Sequence, residues 1–179
     1  KAPDKTIENI PTLIDRTVFP GMQGGPLMNT ITAKAVCFYE ALQPSFKEYA
    51  RAVVLNAQAL AAALTQGGAK LVTNGTDNHM MLVDCVTSFG IDGAEAETVL
   101  DSVGITLNKN AIPDDQNPPF RPSGIRLGTP ALTTRGATTQ DMHAIADWII
   151  RALRNNDNSA VLETISREVQ SYALTRPIP

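Results

Sequence analysis

Lys70-Leu71-Val72-Thr73-Asn74-Gly75-Thr76-Asp77-Asn78-His79-Met80-Met81-Leu82-Val83-Asp84 reads as a strand, a turn and a second strand. Upstream, residues 45–68 read as one helix. Ser45 and Glu48 have capping-box spacing, and Phe46, Tyr49, Ala50, Val53, Val54, Ala57, Leu60, Ala61 and Leu64 recur with the period of an amphipathic helix. Gly67-Gly68 ends that helix as a left-handed cap would. Downstream, Asp92 and Glu95 repeat the capping-box spacing, and their helix runs to Val103 and stops at Gly104. Ile105 to Asn108 and Ile125 to Gly128 read as a third and a fourth strand. Two more helices follow, one from about Thr139 to Arg154 with Met142, Ile145, Ile149 and Leu153 on one face, the other burying Leu162, Ile165, Val169 and Tyr172. Strands that follow one another, with helices segregated from them, predict an α+β fold: a small, mostly antiparallel sheet covered by helices on one side.

The remaining N-terminal residues add a short helix within 4–16, interrupted near Pro11, and a long helix from Pro26 to about Leu42. The predicted division is therefore 1–44, a glycine loop and long helix, and 45–179, a small α/β domain. The 179 residues carry 15 Lys plus Arg and 18 Asp plus Glu, a net charge of -3, with 43% apolar and 18% charged residues. This excludes a disordered chain and gives no electrostatic reason to expect nucleic acid. No apolar run reaches the ~18–20 residues of a membrane span. The opening Lys1-Ala2-Pro3-Asp4 has neither a signal-type apolar region nor a Met, which points to a segment missing upstream. Cys37 and Cys85 read as small buried residues of a reducing compartment, and neither they nor His79 and His143 have metal-ligand spacing.

Four stretches do not read as scaffold. Gly21-Met22-Gln23-Gly24-Gly25 precedes a helix, so its backbone N–H groups either receive an anion or form a tight turn with positive φ. Thr76 to His79 reads first as a polar cluster closing a turn, with His79 as an alternative acid–base group. Asn108-Lys109-Asn110 stands at the mouth of a loop, 109–123, that holds four prolines; its amides either read a heterocycle or simply end a strand. Arg126 alternates with Ile125 and Leu127, so it faces away from them and needs an anion, either an internal carboxylate or a ligand.

Taken in order, Phe19-Pro20-Gly21-Met22-Gln23-Gly24-Gly25-Pro26-Leu27-Met28, Gly75-Thr76-Asp77-Asn78-His79, Asn108-Lys109-Asn110 and Ser123-Gly124-Ile125-Arg126-Leu127-Gly128-Thr129-Pro130 resemble the serine hydroxymethyltransferase family. The resemblance runs from about Thr17 to Trp148 and more weakly beyond. It implies the C-terminal domain of a fold-type-I pyridoxal-phosphate enzyme, preceded by a long helix. The implied enzyme is cytoplasmic, a homodimer or dimer of dimers, and interconverts serine and glycine with transfer of a one-carbon unit to tetrahydrofolate. The family's Schiff-base lysine belongs to a Thr-Thr-His-Lys stretch that these 179 residues do not contain, so no catalytic residue is expected here and the chain by itself is expected to be inactive.

By the same resemblance, Arg126 binds the amino-acid carboxylate and Phe19 is an apolar wall of that site. Gly24 and Gly25 donate to the cofactor phosphate. Asn110 contacts the pterin, and Asn117-Pro118-Pro119-Phe120 stands where the family contacts folate. Asn29 and Pro118 depart from the family pattern, which has His and Ser there. The rival reading is a non-catalytic module that binds folate or a partner subunit. An aminotransferase, a weaker rival, has no use for the folate segments.

Overall fold

The computed structural model describes residues 9–178. They fall into two compact units, one ending at Phe46 and the other beginning at Lys47.

In the first unit, α1 spans Ile10–Arg16. Pro11 sits in its first turn, where a missing N–H costs no helical bond, so Pro11 helps start this helix and does not interrupt it. Residues 4–8 of the expected helix lie outside the described residues. Thr17–Met22 continues in wider turns broken by Phe19, whose backbone is extended. The long helix α2 is Met28–Ala41. It begins two residues later than Pro26 because Leu27 keeps an extended backbone. Cys37 lies on this helix and is exposed, against expectation, because every residue of Asn9 to Leu42 is exposed and nothing described covers it.

The helix α3, Pro44–Gln66, runs into the second unit. Pro44 opens it, so Ser45 lies inside the first turn and is not the cap. Gly68 ends it at φ 89°, and the Ala69 N–H reaches back to the Leu64 carbonyl at 2.9 Å, as the Gly67-Gly68 pair predicts. Then follow β1 (Lys70–Leu71), β2 (Met80–Asp84), α4 (Cys85–Phe89), α5 (Gly93–Ser102), β3 (Asn108–Asn110), β4 (Gly124–Gly128), α6 (Pro130–Thr134), α7 (Asp141–Arg154) and α8 (Ser159–Leu174). The capping box on α5 forms as its spacing predicts: Asp92 accepts from the Ala94 and Glu95 N–H groups at 2.9 Å, and Glu95 reaches back. The short α4 and α6 have no counterpart in the sequence reading.

The sheet order is β1-β2-β4-β3, with every neighbouring pair antiparallel. The fold is α+β. Met81, Val83, Ile125 and Leu127 are buried with Leu60, Leu64, Leu100, Met142, Ile149, Leu153 and Ile165 of the helices. Met80, Leu82 and Arg126 alternate onto the other, more open face. The third strand starts three residues later than predicted and shares only Asn108 with the expected one. Ile105 and Leu107 pack against the helical core, and the Ile105 N–H is taken by the Leu100 carbonyl at the end of α5, so pairing starts only at Asn108.

Candidate functional site

Leu82, Arg126 and Asn108 stand side by side in register across β2, β4 and β3. Arg126 therefore points from the open face of the sheet, with an amide next to it. It is exposed and makes no ion pair or side-chain hydrogen bond among the described residues. Among the described residues, the internal carboxylate that the sequence left open is not there. A cavity of about 640 Å³ opens beside Arg126, walled by Met80, Leu107, Asn108, Leu132 and Trp148. The contrast with a wider cleft of about 810 Å³ along α7 and α8 is instructive. There the cations are already matched: Arg176 meets Asp141 at 2.6 Å and Arg151 meets Glu168 at 2.9 Å. At Arg126, by contrast, a planar, two-point anion receptor is left open beside a cavity.

The strand carrying Arg126 is held from two sides. At its start, a side chain on Gly124 would meet Ile112 Cγ2 at 2.7 Å and the Val83 carbonyl at 2.8 Å, so the sheet closes around a residue without one. At its end, the buried Thr129 hydroxyl donates to the Val53 carbonyl at 2.8 Å. Nearby, the buried Asn56 amide on α3 donates to the Thr133 hydroxyl and the Ala137 carbonyl, both at 2.9 Å. Sequence reasoning missed Asn56 and Thr129, because their partners lie more than 70 residues away.

Asn110 is opposite Gly124 on β3, and its amide donates to the Ala111 carbonyl at 2.6 Å. Residues 111–123 form an ordered loop around Asp115. Bonds from the Ser123 hydroxyl and N–H and from the Asn117 and Ile112 N–H groups hold that carboxyl well below the usual carboxylate range. Asn117, Pro118, Pro119 and Phe120 ride on this loop; Phe120 is 71% exposed at a turn closed by the Arg121 N–H on the Pro118 carbonyl. Arg121 in turn reaches Asp92 at 2.6 Å. Neither Asp115 nor Arg121 was singled out in the sequence, although Asp in a Pro-rich loop is a signal for such a turn.

Thr76 to His79 does what its polar composition predicts. The Thr76 hydroxyl donates to the Met80 carbonyl at 2.6 Å, and Asn78 Oδ1 accepts the Met80 N–H at 2.9 Å. His79 contributes its backbone carbonyl, which accepts from the Thr129 N–H at 3.1 Å.

In the first unit, Phe19 is 63% exposed. Gly24 and Gly25 do not have positive φ, so the tight-turn reading fails. Their N–H groups have no partner among the described residues, and nothing stands within 4 Å of where a Cβ would be. Two free, adjacent donors without side chains suit a phosphate.

A family model described as serine hydroxymethyltransferase matches residues 1–149. The chain belongs to the serine hydroxymethyltransferase family. Relatives bearing that name are 54% identical in Acidobacterium capsulatum over 92% of this chain, 50% in Koribacter versatilis over 92%, and 51% in Rhodopirellula baltica over 93%. The chain spans only 38–40% of the length of these relatives. Among the described residues, no helix of this family member is long and apolar enough to cross a membrane.

Proposed function

We propose that the chain is the C-terminal part of a serine hydroxymethyltransferase that interconverts serine and glycine and passes the one-carbon unit to tetrahydrofolate. The observation that carries this reading is Arg126: exposed on the open sheet face, beside Asn108, with no carboxylate partner among the described residues. In that role the guanidinium grips the substrate carboxylate at two points and so fixes which bond at the α-carbon stands ready to break. Pyridoxal phosphate, where bound, supplies the electron sink for that bond. Gly24 and Gly25 donate their N–H groups to its phosphate, and Phe19 gives an apolar wall. Asn110 and the Asn117–Phe120 turn receive the folate. We further propose that residues 1–44 belong with the family's large domain, that residues 45–179 are the small domain, and that the whole enzyme is a cytoplasmic homodimer or dimer of dimers.

The test is Arg126→Lys in the full-length enzyme. Lysine keeps the charge and loses the planar fork. Losing a charge-assisted bond removes about 1.5–3 kcal/mol, and misorientation adds to that. kcat/KM for serine should fall by about 100-fold or more, with bound pyridoxal phosphate retained. Unchanged glycine affinity with a lowered melting temperature would end the assignment.

A further inference from the structure

We propose that Asp115 is the positioning residue for the folate-contacting turn, acting through the loop and not by touching the ligand. The proposal rests on the reading of Asn117 to Phe120 given above and adds a residue to it.

The four prolines at 113, 118, 119 and 122 remove backbone donors from the loop. Within residues 111–123 the backbone makes two hydrogen bonds to itself, Asp115 N–H to Ile112 and Arg121 N–H to Pro118. Beside the Gln116 amide, which donates to the Asp114 carbonyl at 2.8 Å, the Asp115 carboxylate supplies four more bonds. Its Oδ1 accepts from the Asn117 N–H at 2.9 Å and the Ser123 hydroxyl at 2.6 Å. Its Oδ2 accepts from the Ile112 N–H at 3.2 Å and the Ser123 N–H at 2.9 Å. One side chain thereby joins the outgoing limb, the base of the turn and the returning limb.

Four bonds occupy the ~four acceptor sites of a carboxylate, so Asp115 has little left for a ligand. The turn it holds is the opposite. Pro118, Pro119 and Phe120 are exposed at the tip. A second tether fixes the far side: Arg121 bonds Asp92, and the Gly93 N–H donates to the Pro122 carbonyl at 2.7 Å. A tip held in one conformation before the ligand arrives avoids the ordering cost of binding. Asparagine cannot replace the hub, because its NH2 would face N–H and O–H donors that need an acceptor.

The experiment measures tetrahydrofolate affinity, glycine affinity and melting temperature of the full-length enzyme for Asp115→Asn and Phe120→Ala. The expected result for Asp115→Asn is a folate affinity at least about tenfold weaker, with glycine affinity unchanged and a melting temperature lowered by the lost loop bonds. Phe120→Ala should weaken folate and nothing else. If Phe120→Ala weakens folate and Asp115→Asn does not, the positioning role is overturned and the folate reading stands. If Phe120→Ala also leaves folate affinity unchanged, the folate reading itself fails and takes this proposal with it. A loss of glycine affinity as large as the loss of folate affinity in Asp115→Asn would make Asp115 a scaffold residue and overturn the proposal. Should Asp115→Asn not fold, Ser123→Ala decides: it removes one of the four bonds and should weaken folate by a smaller factor, and unchanged affinity there counts against the role.

Discussion

The two units treat their apolar residues in opposite ways. In the second, the apolar positions of α3, α5, α7, α8 and the sheet close on one another, and Leu64, Leu100, Ile125 and Met142 have no exposed surface. In the first, Leu27, Phe38, Tyr39 and Leu42 are 65–79% exposed, as are Met22, Ile14 and Ile31 to lesser or greater degree. The second unit is stabilised by what it buries; the first exposes an apolar surface. On the proposed assignment, the partner for that surface is the family's large domain.

Core truncation gives the largest expected contrast. Leu64→Ala or Leu100→Ala should lower the stability of the second unit by about 2–5 kcal/mol. Phe38→Ala on α2 of the 179-residue polypeptide should change the stability of the second unit by no more than about 0.5 kcal/mol. Urea denaturation followed by far-ultraviolet circular dichroism measures both. A comparable loss from Phe38→Ala would mean that the stability of the second unit depends on α2.

Association is the next way to break the comparison. The 179-residue polypeptide should self-associate through its first unit, and Phe38→Ser with Leu42→Ser should return it to a monomer in sedimentation velocity. A monomer before substitution would contradict the exposed-face argument. Pyridoxal phosphate and borohydride should label no single lysine of this polypeptide stoichiometrically, because the family's lysine stretch is not among these residues.

Two glycines sharpen the comparison further. A Cβ at Gly93 would stand 2.0 Å from the Gly124 carbonyl oxygen, so Gly93→Ala must push backbone apart and should cost about 1–3 kcal/mol. Gly24 has nothing within 4 Å. Gly24→Ala should leave the melting temperature alone and weaken pyridoxal phosphate binding by the full-length enzyme.

What the sequence made legible was local. The Asp92–Glu95 box, the Gly67-Gly68 stop and the period of α3 depend on neighbours a few residues apart. So does the alternation that turns Arg126 away from Ile125 and Leu127. The third strand misled because Ile105 and Leu107 alternate like strand residues, yet face helices in place of a neighbouring strand. Cys37 misled because burial depends on what covers a helix, and α2 has no described cover. Asp115 stayed invisible as a hub because the Ser123 hydroxyl and N–H join the local donors Ile112 and Asn117 only once β3 and β4 pair. That Arg126 has no carboxylate partner is a statement about the whole second unit, which no spacing rule reaches.

Acid gives the smallest expected effect, and it belongs to the second unit, where the carboxyls with lowered pKa gather. Burial alone would push Asp84, Asp92 and Asp141 up. Their bonds outweigh it: Thr87 and Lys70 on Asp84, the Glu95 N–H and Arg121 on Asp92, Thr138 and Arg176 on Asp141. Asp115 is lowered chiefly by the Ser123 hydroxyl. A carboxyl held lower in the folded state than in the unfolded chain stabilises the fold above its unfolded pKa of about 3.9, and that contribution is lost as pH falls through the folded value. The melting temperature of the second unit should therefore hold level from pH 8 to about 5 as far as these groups govern it, then drop below about pH 4. Asp84→Asn should lower the plateau, since it weakens the cap on α4, and make the acid limb shallower because one linked proton is gone. A melting temperature that starts to fall near pH 6, or an acid limb unaltered by Asp84→Asn, would show that groups other than these carboxylates set the acid response.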